Sequence, residues 1–163
     1  QTDSPDYRDK RDREGLAIYS NGSDLSFDLA VQLIQVNFTG PVILSHDESA
    51  IRGSYNPSLN RISVRDNNPH TVLHEFSHSL IHADIKNNRV IDEIFAEVGC
   101  YLIYERLGCN VQGFNYAYSN VWMNNLGLSE TFPFVEFQRL YSILKSKVDA
   151  LVIPPLPPLL STG

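Results

Sequence analysis

The chain has 163 residues, of which 42% are hydrophobic and 20% are charged. This length suits one domain with its own core, and no apolar run reaches the roughly 20 residues that span a bilayer. The net charge of -6 argues against a general nucleic-acid binder, because such binding depends on Lys and Arg neutralising phosphates. Two cysteines, Cys100 and Cys109, are too few for a disulfide framework and fit a reducing compartment.

The first half of the chain is predicted to hold a small sheet. Residues 1–13 are polar and charged, which predicts a flexible arm. Ser23 or Asp24 is predicted to cap a helix that runs to about Val36. Apolar runs bounded by turn residues predict four short strands, at 15–20, 41–45, 50–55 and 61–65. The last of these is predicted to be an edge strand over a cleft, where an extended peptide could pair.

The second half is predicted to be helical. Asn68 is a predicted N-cap, and Pro69 takes the first position of a helix that reaches about Ala83. Apolar spacing predicts three further helices, at 90–107, 113–125 and 130–151. Residues 153–163 are proline-rich, which predicts an extended tail. The order of elements predicts a single α+β domain over 14–152, with a small mixed sheet and a backing helix.

Residues 74–78 form an HExxH motif inside the predicted helix that starts at Pro69. Two histidines four residues apart point to the same side of a helix, so His74 and His78 can hold two corners of a tetrahedral zinc ion. Glu75 then lies beside the metal, where it can take a proton from water. The motif therefore predicts one catalytic Zn²⁺ per chain, with Glu75 as the general base.

A catalytic zinc site normally takes three protein ligands, and three carboxylates follow the motif. Asp84 is disfavoured, because Ile81 stands where a glycine would be needed to turn the chain back to the metal. Glu93 and Glu97 lie four residues apart on the next predicted helix and therefore share a face. The residues alone leave both glutamates open as the third ligand.

Residues 92–97, Asp-Glu-Ile-Phe-Ala-Glu, resemble the NEGFAE type of segment that carries the glutamate ligand in thermolysin-like, or gluzincin, metallopeptidases. The resemblance implies Glu93 as the third ligand. It also implies that Glu97 accepts a hydrogen bond from the outer nitrogen of a ligand histidine. The separation of 19 residues between His78 and Glu97 is instead similar to that in some gluzincin aminopeptidases, so Glu97 stays an alternative ligand.

A longer stretch, 53–151, resembles the metallopeptidase domain of ArdC-type antirestriction proteins and related phage and plasmid polyvalent proteins. The resemblance is carried by SYNPSLNRISVRD, TVLHEFSHSLIH and VIDEIFAEVGCYLIYERLG, and by FVEFQRLYSILKSKVDALV near the end. It implies a zincin-like fold with a C-terminal helical subdomain. It also implies a cytoplasmic place in a bacterial or phage-infected cell, or a virion-associated one. The DNA-binding region of those proteins is not recognisable here.

Several further side chains are weighed as parts of the site. Tyr101 and Tyr104 on the ligand helix are candidates for stabilising an oxyanion, as are Tyr116 and Tyr118 beyond it. His70 is predicted to face solvent or a cleft rim, and His82 lies too far along the helix from His78 for an ordinary mononuclear site. A role in substrate binding or in supporting a metal ligand stays an alternative for both.

The predicted function is a zinc metallopeptidase that acts on a peptide or protein, including its own chain or a precursor. The alternative is a non-enzymatic zinc-containing module that serves as an inhibitor or counter-defence protein.

Overall fold

The computed structural model describes residues 25–45, 52–86, 88–109 and 134–155. Within these residues it has four α-helices and a three-stranded mixed sheet, which confirms the predicted α+β class. The elements in chain order are α1 (Phe27–Asn37), β1 (Val42–Leu44), β2 (Gly53–Asn56), β3 (Arg61–Val64), α2 (Pro69–Ile81), α3 (Arg89–Arg106) and α4 (Phe134–Asp149). The predicted arm, strand 15–20 and helix 113–125 lie outside the described residues, as does most of the proline-rich tail.

The sheet has the order β1-β3-β2, with β1 parallel and β2 antiparallel to β3. The prediction of 61–65 as an edge strand is therefore wrong, because β3 is hydrogen-bonded on both sides. The alternation of polar and apolar residues in β3 matches its burial, since Ile62 and Val64 are buried whereas Arg61 and Ser63 are partly exposed. Sequence alternation reports which face of a strand is covered and carries no information about its neighbours. Among the described strands, β1 and β2 are the edges.

Helix α1 begins later than predicted. Ser26, rather than Ser23 or Asp24, is the N-cap, and its side chain accepts a hydrogen bond from the backbone N–H of Leu29 at 3.1 Å. The three candidate caps have similar intrinsic preference for the position. The structure selects the one nearest to the buried residues of α1, of which Leu33 and Ile34 are fully buried.

The start of α2 confirms the prediction from Asn68-Pro69. The Asn68 side chain accepts a hydrogen bond from the backbone N–H of His70 at 2.9 Å, and Pro69 is the first helical residue. The α-helix ends at Ile81, slightly earlier than predicted, and continues as a 3₁₀ turn over His82–Asp84. The Asn68 cap fixes where α2 begins, and it therefore fixes how many turns into the helix the motif histidines lie.

Helix α3 begins after Asn88, whose side chain accepts a hydrogen bond from the backbone N–H of Ile91 at 3.1 Å. It ends before Gly108, which has a φ of +80° and so stops the helix as predicted. Cys100 and Cys109 are both buried, and no disulfide joins them.

Helices α2 and α3 pack closely where Gly99 faces Ser77. A Cβ atom on Gly99 would lie 2.7 Å from Oγ and 2.8 Å from Cβ of Ser77, which is closer than side chains tolerate. Ser77 is fully buried and donates its hydroxyl to the carbonyl of Leu73 at 2.8 Å. This close approach brings the facing side chains of the two helices within contact distance.

We expect Gly99→Ala to destabilise the protein. Overpacking costs about 1–3 kcal/mol, which exceeds the roughly 0.5–1 kcal/mol that alanine gains over glycine within a helix. Urea denaturation should show a fall in the free energy of unfolding of about 1–2 kcal/mol. In a Ser77→Gly background the same change should cost less, since both crowding atoms are gone. An equal cost in the two backgrounds would contradict the contact.

Helix α4 packs against α3 and also touches α2, and it buries an apolar stripe at four-residue spacing, Leu140, Leu144 and Val148. Its end is held by Arg106, whose Nη1 donates to the carbonyls of Val148 at 2.6 Å and Leu151 at 2.7 Å. Within the described residues, none of the helices combines the length and apolar character needed to cross a membrane.

Candidate metal centre

The motif histidines form one wall of the site on α2. His74 and His78 lie one turn apart, and their rings meet edge to face with centroids 4.9 Å apart. Both side chains are largely buried against α3, at 15% and 10% exposure. The helix period therefore brings the two imidazoles together as the motif predicts.

Glu93 on α3 faces both rings. Its Oε1 lies 3.2 Å from Nε2 of His74, and its Oε2 lies 2.9 Å from Nε2 of His78. The three side chains each offer a ligand atom within 4.8 Å of the others, so they form a group that could hold a metal ion. Two imidazole nitrogens and a carboxylate oxygen are a donor set that suits Zn²⁺.

The outer nitrogens of the two histidines are each held by another carboxylate. Nδ1 of His74 lies 3.0 Å from Oε2 of Glu97, and Nδ1 of His78 lies 2.9 Å from Oδ1 of Asp92. Metal-binding histidines typically donate this second N–H to a carboxylate, which fixes the ring and its tautomer. Glu97 lies where the sequence predicted such a carboxylate. Asp92 was missed, although its place next to Glu93 was the one available signal.

Hydrogen bonds between these groups raise the pKa of the histidine and lower that of the glutamate. Burial lowers the pKa of His78, but hydrogen bonds to Asp92 and Glu93 outweigh it and raise the pKa to about 9. Burial raises the pKa of Glu93, but hydrogen bonds to His74 and His78 hold it well below its usual range. The Glu93 carboxylate is therefore ionised over the whole physiological pH range.

Glu75 lies against the edge strand β2, where Gly53 makes room for it. A Cβ atom at Gly53 would lie 3.1 Å from Cγ and 3.3 Å from Oε2 of Glu75, and 2.8 Å from Cγ2 of Thr71. Burial raises the pKa of the Glu75 carboxyl, although the charges of His74 and His78 oppose the shift. A raised pKa suits a carboxylate that accepts and returns a proton near neutral pH.

The histidines at the two ends of the motif helix extend this arrangement. His70 is buried at 9% exposure, with Nε2 2.8 Å from Oε1 of Glu97. The prediction that it faces solvent or a cleft rim was therefore wrong, because α3 covers the first turn of α2. His82 is 43% exposed, and its Nδ1 lies 3.2 Å from Oδ2 of Asp92.

The seven side chains form a continuous series, which we call the His–carboxylate ladder. In order along the helix pair they are His70, Glu97, His74, Glu93, His78, Asp92 and His82. Each carboxylate lies between two histidines, and only the rung at Glu93 offers two Nε2 atoms from the HExxH motif. The ladder therefore singles out Glu93 as the carboxylate nearest to both motif nitrogens.

A second group, His70, His74 and Glu97, also has ligand atoms within 4.8 Å of one another. It shares His74 with the first group but uses the opposite ring nitrogen, Nδ1. A metal-bound histidine ordinarily keeps a proton on its other nitrogen. Filling both groups would remove both protons from one imidazole, so the second group fits the role of a hydrogen-bonded support.

The remaining candidates that the structure describes lie away from this centre. Asp84 pairs with Lys147, with Nζ 3.2 Å from Oδ2, in agreement with its rejection as a ligand. Tyr101 and Tyr104 lie roughly 12 and 16 Å beyond Glu93 along the axis of α3. Tyr104 is fully buried in the core, which argues against contact with a substrate. Tyr116 and Tyr118 lie outside the described residues.

Tyr55 is an aromatic neighbour that sequence reasoning missed. It lies on β2, two residues after Gly53, and its ring meets that of His82 edge to face at 6.1 Å. Burial and the charge of Asp92 raise the pKa of its phenol.

Beyond His82 and Asp92 lies an open pocket of about 730 Å³, which is also lined by Lys86 and Arg89. The ladder thus has one buried end, at His70, and one end at a pocket open to solvent.

Comparison with protein-family models, with curated proteins and with solved structures gives no match to this chain. The resemblance to gluzincins and to ArdC-type proteins therefore stays a prediction. The case for a function rests on the geometry of the site.

Proposed function

We propose that the chain is a zinc-dependent metallopeptidase of gluzincin type with a zincin-like fold. The observation that carries the proposal is the position of Glu93, which contacts Nε2 of both motif histidines while each Nδ1 is held by a further carboxylate. His74, His78 and Glu93 would hold the metal. Glu97 and Asp92 would fix the orientation of the two rings.

The chemistry divides between the metal and Glu75. Zinc, when bound, supplies a Lewis acid that polarises a carbonyl and lowers the pKa of water. Glu75 accepts a proton from the attacking water and passes it to the leaving amine. Its half-buried position beside Gly53 keeps the carboxylate next to the metal ligands. The substrate is a peptide or protein, with the chain itself or a precursor among the candidates.

The experiment that tests the proposal combines metal analysis with a peptide-library digest. Protein purified without chelators should carry about one zinc per chain and cleave peptides, and chelation should abolish cleavage. Circular dichroism separates this function from a purely structural zinc. If chelation unfolds the protein and no peptide is cut by the zinc-loaded form, the non-enzymatic module is favoured instead. Absence of zinc binding in solution would rule out both.

Zinc uptake should release protons at neutral pH. In the metal-free protein the pKa of His78 is about 9, so its ring is protonated at pH 7, and only a neutral imidazole binds a metal. The apparent zinc affinity should therefore fall as the pH falls below about 9. Titration calorimetry in buffers of different ionisation enthalpy should show roughly one to two protons released per zinc at pH 7. Burial lowers the pKa of His74, but hydrogen bonds to Glu93 and Glu97 outweigh it and also raise this pKa well above its usual value. Zinc uptake without proton release would contradict the protonated state of the His74 and His78 rings.

A further inference from the structure

The buried end of the His–carboxylate ladder consists of His70 and Glu97. We infer that His70 is a positioning residue, which holds the Glu97 carboxylate in place so that Glu97 in turn orients His74 toward the metal. The inference rests on the proposed function in one respect, since it takes His74, His78 and Glu93 as the ligands. His70 lies outside the HExxH motif, and its polar contact is with Glu97 rather than with the proposed ligands.

Glu97 is fully buried, at 0% exposure. An ionised carboxylate in such a place depends on the protein for its hydrogen bonds, because it is shielded from bulk water. Oε2 of Glu97 lies within hydrogen-bond distance of Nδ1 of His74, at 3.0 Å, and of Nε2 of His70, at 3.2 Å. Nε2 of His70 also lies 2.8 Å from Oε1, so both histidines hold the carboxylate.

The surroundings of His70 hold its ring. Sγ of Cys100 lies 3.8 Å from Nδ1 and 3.9 Å from the backbone carbonyl oxygen of His70. Burial raises the pKa of the Cys100 thiol well above its usual range, so the thiol keeps its proton and stays a neutral neighbour of the ring. The other ring nitrogen, Nε2, faces Glu97. The first turn of α2 is itself held by the Asn68 cap, so the ring has a fixed base.

Loss of His70 would take one of its two histidine partners from the buried Glu97 carboxylate. The carboxylate would then rotate or draw in water, because an unserved buried charge is costly. His74 would lose the fixed partner of its Nδ1–H, and its Nε2 would no longer be held at a set position. The expected result is weaker metal binding with a changed ligand geometry, even though no ligand has been removed.

The other end of the ladder provides a matched control. His82 bonds to Asp92 as His70 bonds to Glu97, but its side chain is 43% exposed and that of Asp92 is 18% exposed. Water can therefore replace His82 at little cost. The structure thus predicts unequal effects for two histidines that occupy equivalent places in the ladder.

The test compares His70→Gln, His70→Asn and His70→Leu with His82→Leu. The glutamine amide can place a donor where Nε2 of histidine lies, whereas the asparagine amide is one methylene too short. Zinc affinity is measured by competition with a chromogenic chelator, and ligand geometry by the visible spectrum of the Co²⁺-substituted protein. We expect His70→Leu and His70→Asn to weaken zinc binding about 10–100-fold and to alter the Co²⁺ spectrum. His70→Gln should restore most of both, and His82→Leu should change affinity less than about threefold.

Two results would overturn the inference. One is wild-type affinity and spectrum in His70→Leu or His70→Asn. The other is an equal loss in the Gln and Asn variants, which would show that the donor to Glu97 is not what matters. If His70→Leu fails to fold by circular dichroism, the Gln and Asn pair decides. Failure of wild type to bind zinc would instead refute the proposed function, so the two failures are distinguishable.

Discussion

Glu75→Gln is expected to lower kcat for peptide hydrolysis by about 10²–10⁴-fold, while the protein keeps about one zinc per chain. Glutamine has nearly the same shape as glutamate, so it fits the space that Gly53 leaves beside the strand. It cannot accept a proton from water, however, and the reaction loses its general base. The measurement is single-turnover cleavage of a library-selected peptide, with zinc content determined on the same sample.

A matched control is Glu105→Gln on the same protein. Glu105 is an exposed carboxylate in the last turn of α3, and its replacement should leave both kcat and zinc content unchanged. Full activity in Glu75→Gln would contradict the assigned role. Loss of zinc together with activity would show that Glu75 acts on the metal site rather than on the proton transfer.

The second large effect separates the two glutamates of α3. Glu93→Gln should weaken zinc binding by at least about 100-fold, whereas Glu97→Gln should weaken it by roughly 10–100-fold, as is typical of an outer-shell partner. The reason is geometric: Glu93 faces both Nε2 atoms, and Glu97 faces Nδ1 of His74. Zinc dissociation constants from chelator competition give the comparison directly.

Stability gives an independent readout for the same pair. Glu97 is fully buried and Glu93 is 29% exposed. In the metal-free protein Glu97→Gln should therefore cost more unfolding free energy than Glu93→Gln, because its partners in the core are left imperfectly paired. The reverse order in zinc affinity, with Glu97→Gln the weaker binder, would make Glu97 the third ligand and refute the assignment of Glu93.

The helices that carry the site were predictable because their signals are local. Asn68-Pro69 and Gly108 act on the backbone within one turn, so the start of α2 and the end of α3 follow from neighbouring residues. The cap of α1 was predicted wrongly, since three polar residues with similar preference for the cap position lie within a few positions of one another. The place of β3 was also predicted wrongly, because pairing on both sides depends on strands far away in the sequence.

Within the site, the sequence predicted which residues share one face of a helix, but it did not predict the contacts between the two helices. The four-residue period placed His74 and His78 together, and the same period placed Glu93 and Glu97 on one face. It could not say which glutamate faces which nitrogen, since this depends on how far α3 is shifted along α2. Asp92 was missed and the burial of His70 was predicted wrongly for the same reason, because each contacts its partner on the other helix.

The sequence by itself determined that this protein carries a paired-histidine motif on a capped helix, with glutamates on the helix that follows. Those features depend on backbone periodicity and on hydrogen bonds between near neighbours. Only the tertiary structure decided that the close approach at Gly99 and Ser77 brings four histidines and three carboxylates into one alternating series. That register between α2 and α3 is a packing outcome of many small contacts, and it makes Glu93 the proposed ligand and His70 the proposed support of Glu97.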